Sequence, residues 1–482
     1  MDKSIFWYDF ESTGIDPRCD RPLQVAGIRT NEQLEEIGEP LCIDCRLADD
    51  MLPSPMACLI TGIDPQRVMQ GLPEYEFVRR LHDQMAVPGT CTAGYNSLRF
   101  DDEMTRFTLY RNFYNPYARE WQGGNSRWDL LDALRTAHAL RPEGINWPQQ
   151  DGHTSLRLEL LTEANGIAHG QAHDALADVR ATVAMARLLR KAQPRLYSYL
   201  YALRSKQKVS ELIDLQHVRP LVHVSGRFGR ERHGLAVVMP LGWHPTNRNA
   251  LIVWDLACDP SLLTSLSAQT IRTRLYTRRE DLAEGEERPG LKLVHINKCP
   301  VLADIKVLRE QDIERLALPL PLFLQRAGEL ADWRVGGQDY LQAVFETDVG
   351  QVNDTGRDCD TQLYEGFVSD ADNRLLPAIR DAAAERLTAD HWPLRDQRLA
   401  DLLVRYRARN FPDSLNESER ELWKLFCRNR LEGVLPGAPV TLRDFLNEID
   451  ALHPTLGIDQ AQLMENWRSY AMSLAARLEI NV

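Results

Sequence analysis

Asp9 and Glu11 close the apolar run Ile5-Phe6-Trp7-Tyr8 in the segment IFWYDFESTG. Residues two apart on a strand point to the same face, so both carboxylates can share a divalent cation at the strand's end. Oxygen-only ligands suit Mg²⁺ or Mn²⁺ better than zinc, and the chemistry they serve is metal-assisted phosphodiester hydrolysis. A doublet is not yet a site, and further ligands must come from elsewhere in the chain.

Two downstream segments could supply them. In AGYNSLRFDDEMTRF, residues 93–107, a short apolar strand ending near Tyr95 gives way to a polar turn and then a helical stretch. Asp101 or Asp102 would open that helix, where the N-terminal dipole favours a carboxylate. In GQAHDALADVRATVAMARLLRK, residues 170–191, Leu176, Val179, Val183, Met185, Ala186 and Leu189 recur at roughly helical spacing. His173 and Asp178 would sit about 140° apart on a continuous helix. They converge only if His173 lies in the loop before the helix and Asp174 caps it. A histidine placed there is a reasonable general base, its unperturbed pKa being near neutrality. His169 and Asp174 have the same spacing, which does not choose between the registers.

The surrounding elements must bring these residues together. Apolar runs near 5–9, 24–30, 40–45 and 90–95 alternate with helical patterns near 73–86, 101–113, 127–140, 155–166 and 174–192, which predicts an α/β domain with a central mixed sheet. Gln193-Pro194 ends it. From 195 to 347 a helical lead-in at 195–214 is followed by short β-like runs, LVHVSG, LAVVMPL, ALIVWDL and KLVHIN, a pattern of a small barrel or antiparallel sheet with helical insertions. ETDVGQVNDTGRDCDTQ reads as an acidic linker. After it, residues 363–387, 396–409, 416–433 and 442–480 read as a helical C-terminal domain. The expected domains are 1–192, 195–347 and 352–482.

At 482 residues, with 44% hydrophobic and 26% charged residues, the chain has the composition of a multidomain soluble protein. It lacks a run of 18 apolar residues and starts too directly on a strand for a signal peptide, so a cytoplasmic protein with no membrane partner is expected. Nine cysteines suggest reduced thiols. Cys42-Ile43-Asp44-Cys45 has the spacing of a zinc half-site but no second half follows. The net charge of −12 weighs mildly against a nucleic-acid partner, yet RPLVHVSGRFGRERHG and TIRTRLYTRR are locally basic. A basic groove inside an acidic protein is the expected arrangement.

The strand with Asp9 and Glu11, the Tyr95-Asn96…Phe100-Asp101 segment and His173-Asp174-Ala175-x-x-Asp178 resemble the three motifs of the DEDDh, or DnaQ-like, 3'→5' exonucleases. The resemblance favours Asp101 over Asp102, and His173 with Asp178 over His169 with Asp174. NSRWDLLDALR, ALRPEGINWP, RPLVHVSGRFG, GWHPTNRNA, KLVHINKCPVL, QLYEGFVSDAD and YRARNFP extend it to about residue 412 and are similar to the bacterial exodeoxyribonuclease I family. That resemblance implies an RNase H-like exonuclease domain, an SH3-like β-rich domain and an α-helical C-terminal domain. It implies a cytoplasmic bacterial enzyme, nucleoid-associated when on DNA, that degrades single-stranded DNA to 5'-deoxynucleoside monophosphates with two Mg²⁺ ions, Mn²⁺ being possible, in DNA repair and recombination. Asp9 would bridge the two metals, Glu11 and Asp178 complete the first and Asp101 support the second. His173 would be the base, and Arg157 would clamp a phosphate beside Glu11.

Unpaired DNA is held by aromatic platforms and backbone-tracking cations. Arg106, Tyr117, Trp121 and Arg135 interleave in that manner. Tyr199, Lys206, Asn249, Lys292, His295 and Asn297, with Tyr364 from the last domain, would extend the groove. The expected partners are single-stranded DNA and, by the resemblance, the acidic C-terminal tail of single-stranded DNA-binding protein, the enzyme itself being a monomer. Two alternatives are an RNA-trimming exonuclease resembling oligoribonuclease, disfavoured by the additional ~290 residues, and a non-catalytic single-strand-binding repair adaptor, disfavoured by five competent catalytic residues.

Overall fold

A computed structural model describes residues 3–168, 170, 174–346 and 357–481. The chain divides into two compact units, one formed by Met1–Ser126, His169–Val183 and Asp354–Val482, the other by Arg127–Ala168 and Ala184–Asn353.

The first unit is built on β1 (Ser4–Ser12), β2 (Pro22–Asn31), β3 (Leu41–Asp44) and β4 (Thr90–Gly94), in the spatial order β3-β2-β1-β4. β1 runs antiparallel to β2 and parallel to β4, so the sheet is mixed. Alternation along β1 sends Phe6, Tyr8 and Phe10 into one core with Val25, Phe77, Leu81, Met104 and Leu109, leaving Asp9 and Glu11 on the opposite face. Pairing with β4 stops at Trp7↔Ala93, whereas pairing with β2 continues through Glu11↔Gln24. The carboxylates therefore sit on a stretch of β1 that has outrun its parallel neighbour. Gly94 allows β4 to end there: a Cβ on it would lie 2.8 Å from the Tyr8 carbonyl oxygen.

The helical C-terminal segment shares its cores with this sheet domain. Cys427, Leu431, Phe445, Ile449, Trp467 and Leu474 pack with Leu23, Leu47, Met51, Leu52, Ile63 and Val68. Leu376, Ile379, Leu399, Leu403 and Tyr406 pack with Phe107, Tyr110 and Phe113. Three expectations are corrected. The stretch 363–387 reads as helical, but its helices are short, at Asp370–Asn373 and Leu376–Arg380 with a 3₁₀ turn at Ala384–Arg386. The buried Asp372 accepts from Arg395 and Asp396 backbone N–H, and Pro377 restarts the backbone as an N-terminal helix residue. The helix expected over 442–480 is two, Leu442–Leu452 and Ile458–Leu478, separated at Pro454 and Gly457. The acidic linker is not wholly solvated, since Asp358 and Asp360 are buried.

The second unit holds an antiparallel sheet of Leu221–Val224, Leu235–Trp243, Ala250–Asp255, Leu291–His295 and Val301–Asp304. Helices Leu320–Gly336 and Gln338–Phe345 cover a core of Val237, Ile252, Trp254, Leu291 and Phe323. The helix expected from 127 starts only at Leu130, where Asp129 caps it by accepting from Leu131 N–H at 2.9 Å. Among the described residues no helix is long and apolar enough to cross a membrane.

Candidate active site

Where β4 stops, Asp101 takes over. It opens the helix Asp101–Arg111, and its Oδ1 accepts the Phe10 N–H at 3.0 Å. Its neighbour turns the other way: Asp102 Oδ1 accepts from Tyr8 Oη at 2.8 Å and from Arg119 at 2.6 Å. One residue of helical rotation thus separates an aspartate held beside Asp9 from one committed to a buried ion pair. The third segment, the helix Ala175–Ala192, begins after Asp174, whose Oδ1 accepts the Leu176 N–H at 3.0 Å. One turn on, Asp178 meets β1. Oxygens of Asp9, Glu11 and Asp178 lie within 4.8 Å of one another. His173 and His169 lie outside the described residues.

Glu11 and Asp101 are buried. Burial, with the Asp178 charge added, pushes the Asp9 carboxyl up to about 8. Burial and the charges of Asp9, Asp178 and Asp174 push Glu11 up to about 9. Burial and Asp9 hold Asp101 well above the usual carboxylate range. Close carboxylates that resist ionisation this strongly lack positive charge. An all-oxygen donor set with that deficit fits a divalent cation.

The flanking loop is tightly braced. Asp20 accepts from Thr13 Oγ1 at 2.7 Å and from Asp16 N–H at 2.8 Å, and Arg111 donates to the Arg18 and Asp20 carbonyls. Sequence reasoning missed these residues. Their signal, a Cys-Asp-Arg-Pro turn before β2, is ordinary until its contacts are seen. Cys42 and Cys45 are free thiols, the first exposed on β3 and the second buried.

In the first unit the expected groove residues gather around Arg106. Its guanidinium donates to Glu120 at 2.8 Å, Glu103 at 2.6 Å and Tyr364 Oη at 3.1 Å, and lies 5.4 Å from the Tyr117 ring centre. Arg106 is therefore engaged by carboxylates within the protein. Tyr364 and Trp121 are exposed, and Phe367, which sequence reasoning did not single out, is 95% exposed.

In the second unit Lys206 Nζ donates to Asn249 Oδ1 at 2.6 Å, the Asn249 carbonyl accepts from Ile296 N–H, and Ala250 pairs with His295, which draws these residues and Asn297 to one sheet edge. Burial, then Lys298, His244 and Arg227, lowers the pKa of His295. The Lys292 ammonium lies 3.9 Å over the Phe228 ring. Elsewhere in this unit, Arg135 is held by Asp132 and packs against Gly226 and Gly234. The Tyr199 hydroxyl donates to the Leu302 carbonyl at 2.6 Å, and Arg157 is exposed just before the helix Leu158–Ala164.

Residues 6–186 match an exonuclease family, 204–347 the exonuclease I SH3-like domain and 357–474 the exonuclease I C-terminal domain. Exodeoxyribonuclease I of Escherichia coli K12 is 48% identical over 422 residues, 87% of this chain and 88% of that protein. The chain belongs to the exodeoxyribonuclease I family. It is accordingly an exonuclease, with the family's exonuclease, SH3-like and helical C-terminal domains. An exonuclease I structure from Methylocaldum szegediense superposes with a TM-score of 0.91 at 46% identity, covering 98% of this chain and 99% of that one. A zinc-bound complex of E. coli exonuclease I with single-stranded DNA gives 0.91 at 43% identity, covering 98% and 100%. Another E. coli structure holds SSB/exonuclease I with the inhibitor CFAM, at a TM-score of 0.89 and 43% identity over 98% and 100%.

Proposed function

We propose that this exonuclease degrades single-stranded DNA from its 3' end to 5'-deoxynucleoside monophosphates, in DNA repair and recombination, using two Mg²⁺ ions. The observation that carries the mechanism is the meeting of Asp9, Glu11 and Asp178 oxygens within 4.8 Å at the open end of β1. Asp9, Glu11 and Asp178 would hold one ion, and Asp101 with Asp9 would help hold the other. Bound there, divalent cations would supply Lewis-acid polarisation and offset charge on the attacking and leaving oxygens. His173 accepts a proton from the attacking water, which forms the new P–O bond as the bond to the 3' oxygen of the preceding nucleotide breaks. Arg157 holds the scissile phosphate through its planar guanidinium. Exposed Trp121 and Tyr364 offer stacking platforms, and the edge carrying Lys206, Asn249 and His295 tracks the phosphates.

The enzyme works as a cytoplasmic monomer, with domains at 1–192, 195–347 and 352–482. An acidic protein tail, that of single-stranded DNA-binding protein, is the second partner. A cavity of about 380 Å³ lined by Leu140, Leu196, Leu200, Val222, Arg141 and Arg195 supports this, combining an apolar lining with two arginines.

A strand-polarity assay tests the function. With Mg²⁺, a 3'-labelled single strand should release labelled mononucleotide at once while a 5'-labelled strand shortens progressively. EDTA should stop both, and duplex should resist. Labelled mononucleotide released first from the 5' end, or equal digestion of an RNA oligomer of the same sequence, would overturn the reading.

A further inference from the structure

A second acidic cluster lies in the same unit. Asp50, Asp358 and Asp360 meet Arg21, Arg405, Arg409 and Arg430 in a buried network. Asp360 lies at its centre, receiving Arg21 at 2.9 Å, Arg405 at 3.0 Å and Arg409 at 2.6 Å. Asp358 and Asp360 also bracket Cys359 in a grouping with metal-ligand spacing, but guanidiniums occupy the carboxylates' hydrogen-bonding positions.

Arg21 is the one arginine of the four that comes from the loop beside the metal ligands. Its N–H donates to Thr13 Oγ1 and its carbonyl accepts from Thr13 N–H, both at 2.9 Å. These bonds close the Ser12–Arg21 loop immediately after Glu11, next to the β1 bulge between Glu11 and Ser12. Arg405, Arg409 and Arg430 come from C-terminal helices.

We propose that Arg21 is a positioning residue for the metal site, anchored by Asp360 of the C-terminal segment so that the loop closing β1 holds the Glu11 carboxylate toward Asp9 and Asp178. The inference rests on reading those three carboxylates as a metal site. It also gives the C-terminal segment a part in the reaction: the nuclease strand end is held from a residue some 340 positions away in sequence.

Charge counting supplies the test. Four guanidiniums face three carboxylates, so removing any one arginine leaves the network balanced, whereas removing Asp360 leaves two charges in excess. Arg21→Met and Arg405→Met take the same charge from the network, but only the first releases the loop. Mn²⁺ binding to the full-length protein, read from the electron paramagnetic resonance of the free ion, should weaken on the order of tenfold in Arg21→Met, the scale of losing a support behind a metal ligand. Arg405→Met should bind Mn²⁺ as the wild type does, although both variants melt earlier. Undiminished binding in Arg21→Met, or equal weakening in both, would overturn the inference. Should Arg21→Met not fold, Arg21→Lys and Arg405→Lys are read in the same way. Absence of Mn²⁺ binding by the wild type would instead remove the metal-site reading itself.

Discussion

Asp9, Glu11 and Asp178 form one acidic group in the first unit, and Asp50, Asp358 and Asp360 form another. Both lie in the same compact unit, yet their electrostatics run in opposite directions. Burial pushes Asp9 to about 8 and Glu11 to about 9. Burial would raise Asp50 as well, but Arg409 and Arg430 overcome it and bring Asp50 down to about 2. Asp360 is likewise held well below the usual range by Arg409 and Arg21 against its burial. Carboxylate clustering thus has two meanings: neutralised by guanidiniums, it cross-links a fold; left short of positive charge, it suits a cation that takes part in chemistry.

The largest expected effects come from breaking each group in its own way. Asp9→Ala or Asp178→Ala should reduce mononucleotide release to background while shifting the melting temperature little or upward, because one member of a crowded carboxyl cluster is removed. His173→Ala should slow release by roughly 10²–10⁴-fold, the usual share of a general base. Asp360→Asn should do the reverse of the metal-site variants, costing about 3–5 kcal/mol of stability by leaving buried guanidiniums unpaired. Chemical denaturation and a single-strand digestion assay read both.

The neighbours Asp101 and Asp102 sharpen the same contrast within one helical turn. Asp101→Asn keeps an acceptor for Phe10 N–H, so stability should hold while activity falls. Asp102→Asn should mainly lower stability, by about 3–5 kcal/mol if the Arg119 pair is broken outright. Equal effects of the two on nucleotide release would contradict this division of roles.

A smaller effect separates the groups by pH. With Asp9 and Glu11 raised to about 8 and 9, the metal-free folded protein retains protons that the unfolded chain has already lost. Its stability from this group should fall as pH rises from about 4 toward 9, and Mn²⁺ should restore more at pH 8 than at pH 6. The Asp50 and Asp360 contribution has the other sign: it is present above about pH 4 and is lost as pH falls toward 2. Melting temperatures across pH, with and without Mn²⁺, separate the two.

Much of this was legible in the sequence because it depends on local spacing. The i, i+2 doublet on a strand and the Asp174 cap before the helix that carries Asp178 follow from strand and helix periodicity. What periodicity could not show was which distant residue answers each charge. Asp358 and Asp360 read as linker because their arginines lie at 21, 405, 409 and 430. The last helices were equally opaque, since an amphipathic stripe records that a face is buried but not what covers it: Trp467 donates to the Ile63 carbonyl at 2.9 Å, across more than 400 residues. Arg106 carries the same lesson: its aromatic neighbours are visible in spacing, but its bonds to Glu103 and Glu120 are not.

Mn²⁺ binding at pH 8 to the wild type, Asp9→Asn and Asp178→Asn tests the central claim most directly. The wild type should bind the ion and each variant should weaken it by about tenfold or more. A wild type that does not bind Mn²⁺, or variants that bind it as well as the wild type, would contradict the assignment of these carboxylates as the metal site.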